Sequence, residues 1–152
     1  MTIFQSMNTT ASALTAQRLR MDVISSNMAN VDTTRGKLVD GEWQPYTRKQ
    51  VVFQSQEGGS SFASHLSAAQ GNTSSSGDGV KVTNIVEDET PYEMVYNPEH
   101  PDADEDGYVK MPNVDPLREM VDLMSASRSY EANVTVLNAS KSMLMKTLEI
   151  GK

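Results

Sequence analysis

Apolar residues recur at alternating steps of three and four at both ends of this 152-residue chain, and no other feature constrains its fold as strongly. Such steps place the repeated positions on one stripe of an α-helix, the pattern of a coiled coil or helix bundle. Near the N-terminus the stripe runs through Phe4, Met7, Ala11, Leu14, Arg18, Met21, Ser25 and Met28. Near the C-terminus it runs through Met120, Leu123, Ser127, Tyr130, Val134, Leu137, Lys141, Leu144 and Leu148. We call these sets the N-terminal seam and the C-terminal seam, and each predicts one long helix.

The residues beside the seams predict where the two helices begin and end. Asp115 followed by Pro116 is a favourable N-cap followed by proline at the first helical position. Gly151 lies just beyond the last apolar position, where glycine often ends a helix. Asn27 and Asn30 fall where the first helix should end, and asparagine tolerates the left-handed conformation found there. We therefore expect these two asparagines to set the corner between the helix and the following strand.

The sequence between the helices has the composition of strands and loops. Residues 44–54, 79–88 and 91–98 are rich in β-branched and aromatic side chains and are bounded by glycine or proline, which predicts strands. Residues 57–79 are rich in glycine and serine, which predicts a flexible loop. The predicted class is α+β, with a small, mainly antiparallel β module of about four strands between two helices that form coiled coils or bundles. The predicted limits are 1–32 for the N-terminal heptad helix, 33–113 for the β module and 114–152 for the C-terminal heptad helix.

Charge and cysteine content exclude several classes of protein. The formal net charge of -7 argues against nucleic-acid binding, which normally requires a basic face. The absence of cysteine excludes disulfides, thiolate metal sites and cysteine nucleophiles. No run of about 18 apolar residues occurs, so no direct membrane insertion is expected. The first residues lack the basic and apolar regions of a secretory signal peptide, which predicts a cytoplasmic protein or one exported without a cleaved signal.

Residues 100–113, HPDADEDGYVKMPN, begin like the loop of an EF-hand calcium site. Aspartates at alternate positions precede a glycine, as such a loop requires: Asp102, Asp104, Asp106 and Gly107. The later ligand positions are wrong, because Lys110 and Asn113 stand where a ligand or its water and a bidentate glutamate should be. We therefore expect a solvated turn whose aspartates bond to nearby backbone amides, within a stiff, proline-containing connector to the second helix. A soluble calcium-binding interaction module centred on 102–107 stays open as the alternative.

No arrangement of residues predicts catalysis. His65 and His100 are the only histidines, and both lie far apart in loop-like sequence. No serine stands in the setting of an activated nucleophile, and no glycine-rich segment has the lysine and spacing of a phosphate-binding loop. We expect no enzymatic activity, no cofactor and no metal.

Several longer stretches resemble bacterial flagellar axial proteins, the family of rod and hook subunits. SSNMANVDTT, which closes the N-terminal helix, is similar to the N-terminal signature of that family. VYNPEHPDADEDGYVKMPNV and EMVDLMSASRSYEANVTVLNASKSMLMKTLEI narrow the resemblance to a basal-body rod protein. PYTRKQVVF and GVKVTNIVED extend the resemblance to nearly the whole chain.

The resemblance implies a structural subunit of the proximal flagellar rod that assembles helically, through its terminal helices, into the drive shaft for motility. It implies unfolded passage through the flagellar type III export apparatus and a final place in the basal body. The implied partners are other copies of the chain, related rod subunits and the adaptor that joins the rod to the membrane ring. The two seams would then be the assembly interface, with Arg18 and Lys141 fixing the register against acids of neighbouring subunits. A monomeric helix hairpin that forms no polymer stays open as a further interpretation.

Overall fold

The computed structural model of the protein describes residues 3–56, 66, 69 and 79–150. Helix α1 spans Ile3–Ala29 and helix α2 spans Pro116–Ile150. Among the described residues, six strands lie between them: β1 Lys37–Val39, β2 Glu42–Gln44, β3 Lys49–Ser55, β4 Val80–Glu87, β5 Glu93–Tyr96 and β6 Tyr108–Met111. The predicted α+β class is confirmed, since two long terminal helices flank small antiparallel sheets. Within the described part of the chain, no helix is both long and apolar enough to cross a membrane.

Helix α2 begins where its cap residues predicted. The Oδ1 atom of Asp115 accepts hydrogen bonds from the backbone N–H of Leu117 at 2.9 Å and of Arg118 at 3.3 Å. The backbone carbonyl of Asp115 accepts the N–H of Glu119 at 3.0 Å. These bonds satisfy amides that the first turn of a helix otherwise leaves unpaired. Gly151, the expected stop, lies outside the described residues.

Helix α1 ends at the predicted asparagines, but the conformational reason that we expected is wrong. The only described residue other than glycine with a positive φ is Asp40, so Asn27 and Asn30 are not left-handed. Asn30 instead uses its side chain, whose Nδ2 donates to the backbone carbonyl of Ser26 at 2.8 Å and whose Oδ1 accepts the hydroxyl of Thr33 at 3.2 Å. The last turn of α1 is therefore closed by side-chain hydrogen bonds.

Strands β1 and β2 form a hairpin that the sequence analysis missed. Val39 pairs with Glu42 across a two-residue turn of Asp40 and Gly41, whose φ angles are 53° and 89°. Asp-Gly favours this turn, because both central positions need a positive φ to match the twist of the flanking strands. The strand predicted over 44–54 is shorter than expected. Gln44 belongs to β2, Pro45 interrupts the run, and β3 begins only at Lys49.

Strand β6 lies inside the segment for which we expected a solvated turn and a stiff connector. It pairs antiparallel with β5, from Glu93 opposite Met111 to Tyr96 opposite Tyr108. The two tyrosine rings meet edge to face, with centroids 5.3 Å apart. Gly107, at a φ of 78°, reverses the chain immediately before β6. The connector expectation is therefore wrong over Tyr108–Met111, and the estimate of four strands was too low.

The other predicted strands, over 79–88 and 91–98, are confirmed as β4 and β5, and β4 pairs with β3. The predicted loop 57–79 lies outside the described residues except for Leu66, Ala69 and Gly79, and so does His65. The predicted domain limits stay a prediction.

The chain divides into two compact units, each of which draws on both helices. The first unit comprises Met1–Arg18, Phe53–Thr83 and Arg128–Lys152, and the second comprises Leu19–Val52 and Asn84–Ser127. In the second unit the buried apolar side chains are few: Val23, Ile24, Val109, Val114 and Ala126, with Pro45 and Pro112. The same unit also buries Asn27, Arg48 and Glu119, so its interior is partly polar.

Candidate assembly interface

Arg48 and Glu119 form an ion pair that is closed to solvent within the second unit. Glu119, in the first turn of α2, is 0% exposed, and Arg48, immediately before β3, is 8% exposed. Nε of Arg48 donates to Oε1 of Glu119 at 2.6 Å. Burial alone would lower the pKa of Arg48, but the hydrogen bonds and charges of Glu119 and Asp88 raise it overall. Such a charge-assisted bond is strong because little water screens it.

Asn27 joins this ion pair to α1 and to β3. Its side chain, 1% exposed, donates from Nδ2 to Oε2 of Glu119 at 3.1 Å and to the backbone carbonyl of Lys49 at 2.9 Å. Its Oδ1 accepts the backbone N–H of Lys49 at 3.0 Å and the hydroxyl of Tyr46 at 3.0 Å. The amide thus uses both its donors and both acceptor positions, as a buried polar group must.

Two further carboxylates surround the guanidinium of Arg48. Nη1 lies 3.2 Å from Oδ2 of Asp88, and Nη2 lies 3.7 Å from Oδ2 of Asp122. Asp122 also accepts a hydrogen bond from Nη2 of Arg20 at 3.0 Å. We call Arg20, Asn27, Arg48, Asp88, Glu119 and Asp122 the polar cluster. It connects α1, α2 and the loops around β3 and β4 by directional bonds.

Asp88 has the most strongly perturbed acidity of the polar cluster. Its pKa falls to about 2, first because the hydroxyl and the backbone N–H of Thr90 donate to Oδ1, and then because Arg48 and Gln50 donate to Oδ2. Asn113 binds the same region from the other side, since its Oδ1 accepts the N–H of Arg48 at 2.8 Å and its Nδ2 donates to the carbonyl of Asp88 at 3.2 Å. These bonds hold the ends of β3 and β4 beside the start of α2.

The N-terminal seam lies one residue to the side of the stripe that α1 buries. That stripe follows the same steps, one position earlier: Ser6, Thr10, Ala13, Gln17, Arg20, Ile24 and Asn27, none of them exposed. In the seam, Phe4, Ala11, Arg18 and Ser25 are exposed, while Met7, Leu14, Met21 and Met28 are half-buried. This buried stripe is mainly polar, although Ala16 and Val23 beside it are buried as well, and the seam, which holds more apolar residues, faces partly outward.

On α2 the covered stripe shares every second position of the C-terminal seam. That stripe is Glu119, Leu123, Ala126, Tyr130, Asn133, Leu137, Ser140 and Leu144, again with no exposed member. The seam shares Leu123, Tyr130, Leu137 and Leu144 with it. Of the other seam positions, Ser127 and Val134 are half-buried, and Met120, Lys141 and Leu148 are exposed.

Within the second unit the two helices pair antiparallel. Arg20 contacts Asp122 at 3.0 Å, and Asn27, two turns further along α1, contacts Glu119, which lies earlier in α2. Arg18 and Lys141 take part in no ion pair with any described residue, and their expected bonds to acids of neighbouring subunits stay a prediction. Sequence reasoning missed Glu119 although it stands one step of four before Leu123, because a glutamate does not count toward an apolar pattern.

Four seam residues of the first unit line an open groove. Phe4, Met7 and Ala11 of α1 and Leu137 of α2, with Gln5 and Asn8, border a shallow volume of about 720 Å³ that is largely open to solvent. The groove is large enough to receive several side chains of another protein.

In the segment that begins like a calcium loop, the carboxylate of Asp102 bonds to side chains outside that segment. Nε of Arg35 donates to Oδ1 of Asp102 at 2.7 Å, and the hydroxyl of Thr34 donates to its Oδ2 at 2.7 Å. These two bonds, that of Arg35 first, lower the pKa of Asp102. The expectation of partners among nearby backbone amides is therefore wrong for this carboxylate. The described residues contain no group of three or more acidic or histidine side chains able to hold a metal ion, and the calcium-binding alternative is not supported.

Comparison with known proteins identifies the family. Residues 7–36 match the family described as "Flagella basal body rod protein", and residues 105–150 match "Flagellar basal body rod FlgEFG protein C-terminal". The flagellar basal-body rod protein FlgC of Bacillus subtilis is 60% identical over 152 residues, which is 100% of both chains. FlgC of Escherichia coli O6:H1 is 51% identical over 93% of this chain and 92% of its own, and FlgC of Borreliella burgdorferi is 43% identical over 99% and 98%. A similarity that spans the full length shows that the chain belongs to the FlgC family of flagellar basal-body rod proteins.

Proposed function

We propose that this chain is a non-enzymatic structural subunit of the bacterial flagellar basal-body rod, and that it assembles helically through the outward faces of α1 and α2. The relatives named above are basal-body rod proteins, and their similarity covers both helices. The observation that carries the mode of assembly is the exposure of large apolar side chains along the helices. In an isolated chain these side chains face water.

The exposed apolar side chains are concentrated on α2. Leu117, Val121, Met124, Val136, Met143, Met145, Leu148 and Ile150 are each more than half exposed. Phe4 at the start of α1 is 74% exposed. Contiguous exposed apolar surface on a soluble protein typically marks a binding surface. In a helical polymer each subunit would bury such a face against its neighbours. Phe4 and Leu148 are the members of this exposed set that belong to the seams, so the proposed interface combines these seam positions with the exposed apolar residues beside them.

The partners follow from this assembly. The apolar faces of α1 and α2 would pack against other copies of the chain, against related rod subunits and against the adaptor that joins the rod to the membrane ring. The groove lined by Phe4, Met7, Ala11 and Leu137 would receive apolar side chains of one such neighbour. We further propose delivery through the flagellar type III export apparatus, which requires an easily unfolded chain. The small number of buried apolar side chains in the second unit supports low resistance to unfolding.

Two substitutions at exposed seam positions test the assembly interface. Phe4→Glu and Leu148→Glu place a charge where a neighbour would pack, at side chains that are 74% and 70% exposed in the single chain. The full burial of each apolar side chain is worth about 1.5–3 kcal/mol per subunit contact. In a motile host that lacks its own copy of this subunit, we expect both variants to lose the swimming halo in soft agar and to be absent from purified basal bodies.

The matched control is Ser142→Glu, which adds the same charge at an exposed polar position of α2 outside the seam. Melting curves of the purified chains separate assembly from folding, because exposed substitutions usually change stability by less than about 0.5 kcal/mol. Normal swimming by both seam variants would overturn the proposed interface.

A further inference from the structure

We propose that the polar cluster is a register lock: within the second unit it sets which of residues 19–29 of α1 face which of residues 116–127 of α2, and so aligns the outward faces of these two stretches for assembly. This inference rests on the proposed function only in that these outward faces are taken to belong to the assembly interface.

Apolar packing alone would fix this register weakly, because few apolar side chains are buried between the two stretches. They are Val23 and Ile24 of α1 and Ala126 of α2, whereas Asn27 and Glu119, the other buried side chains there, are polar. So few apolar contacts distinguish the register only weakly from one slipped by a helical turn, about 5.4 Å along the axis. A second element with directional bonds is therefore needed if a single register is to be populated.

The polar cluster supplies those bonds because it can be satisfied in one register only. Glu119, which no water reaches, has Arg48 on one oxygen and Asn27 on the other, at 2.6 and 3.1 Å. A slip of one turn would separate Glu119 from Asn27 and leave an oxygen of a buried carboxylate unpaired. The same slip would break the contact of Arg20 with Asp122. Buried polar groups that lose their partners penalise the wrong register much more than apolar groups do.

A lock of this kind differs from a simple source of stability. Replacing a buried ion pair with apolar side chains of similar size often leaves stability unchanged or higher, because the charges no longer have to be desolvated. Arg48→Met with Glu119→Met removes the ion pair but keeps the bulk of both side chains. The outer carboxylates tolerate the change, since Asp88 keeps its bonds from Thr90 and Gln50, and Asp122 keeps Arg20. Asn27 loses Glu119 but keeps its bonds with Lys49 and Tyr46, so neither its donor nor its acceptor atom is left without a partner. A lock predicts loss of a unique register without loss of folding.

The register can be measured in the full-length chain, because it contains no cysteine. Asp22→Cys and Ser125→Cys introduce two exposed labelling sites, one on α1 and one on α2, both in the second unit. Spin labels at these sites report the distance between the helices by electron paramagnetic resonance. In the unaltered background we expect one narrow distance distribution. In the Arg48→Met, Glu119→Met background we expect a melting temperature near that of the parent, with a distribution that broadens or gains a second peak displaced by up to about 5 Å.

Two further backgrounds complete the test. Arg48→Lys keeps the positive charge but lacks the fork that reaches Glu119, Asp88 and Asp122 together, so we expect an intermediate broadening in a chain that still folds. The matched control, Arg35→Met with Asp102→Asn, removes an ion pair in which neither partner belongs to a helix, and it should leave the distribution narrow. We expect the methionine pair to reduce swimming at least tenfold in halo area, and the control pair to leave it unchanged.

An unchanged narrow distribution in both Arg48 backgrounds would overturn the register lock, whatever the swimming result. A broadened distribution with normal swimming would also overturn it, because the register would then not align anything that assembly needs. Failure of the proposed function would give a different result. Cells that carry Phe4→Glu or Leu148→Glu would then swim normally, and the distance distributions would still test the register lock separately.

Discussion

Replacement of Asn27 with alanine should destabilise the chain more than any other single amide substitution at the end of α1. The side chain is 1% exposed and makes four hydrogen bonds, to Glu119, to the hydroxyl of Tyr46 and to both backbone groups of Lys49. A buried polar group that loses its partner costs about 1–3 kcal/mol. Water can replace some of the lost hydrogen bonds at the half-buried Tyr46 and Lys49, but it cannot replace the one at Glu119.

We therefore expect Asn27→Ala to lower the free energy of unfolding by about 2–4 kcal/mol in total, the full cost at Glu119 and a reduced cost elsewhere. For a chain of this length that corresponds to a fall in melting temperature of about 5–15 °C. Urea titration followed by circular dichroism measures the free energy, and a thermal scan measures the melting temperature.

The matched control is Asn30→Ala, at the neighbouring asparagine on the same helix end. Asn30 is half-buried, and of its partners Ser26 is exposed and Thr33 is half-buried, so water can replace both bonds at least in part. We expect a loss of only about 0.5–1.5 kcal/mol. Equal losses in the two variants, or a loss below about 0.5 kcal/mol for Asn27→Ala, would refute the reasoning that burial next to Glu119 sets the magnitude.

Two other predictions concern single carboxylates. The pKa of Asp88 is about 2 in the folded chain against 3.8 ordinarily, so its contribution to stability is present above pH 3.8 and is lost as the pH falls toward 2. Asp88→Asn should flatten the dependence on pH, between these values, of the free energy of unfolding measured with urea. An unchanged slope would contradict the assignment. Asp115→Ala should cost about 1 kcal/mol, because the first turn of α2 loses its cap, whereas Asp115→Asn should recover most of that stability. Thermal scans of the parent and the two Asp115 variants check this, and a melting temperature of Asp115→Ala equal to that of the parent would show that the cap contributes nothing.

The helices were predictable because their signals are local. The caps around Asp115 lie next to the turn they stabilise, and the apolar steps lie within each helix. The Asp40-Gly41 turn was equally local and could have been found, since that dipeptide is the usual signal for a tight hairpin. Strand β6 carried a weaker signal, because its pairing with β5 depends on residues on the far side of the aspartate-rich turn.

The candidate interface was less predictable, because apolar periodicity identifies a helix but not the face that its own chain covers. In α1 the covered stripe is the less apolar one, which leaves the methionine-rich seam at its edge. The partners of Asp102 could not be found for a related reason: Arg35 lies 67 residues away, and nothing in either segment indicates the other.

By itself, the sequence determined the α+β class, the two long helices with the cap at the start of α2, and membership of a flagellar axial family, because these depend on local spacing and on recognisable runs of residues. Only the tertiary structure decided which stripe of each helix is buried and which polar groups meet inside. Arg48, Asn27 and Glu119 come from three separate elements, and a buried charge can be kept only where folding brings its partners within hydrogen-bond distance. That requirement makes the register of α1 against α2 a property of the folded chain, which neither helix specifies alone.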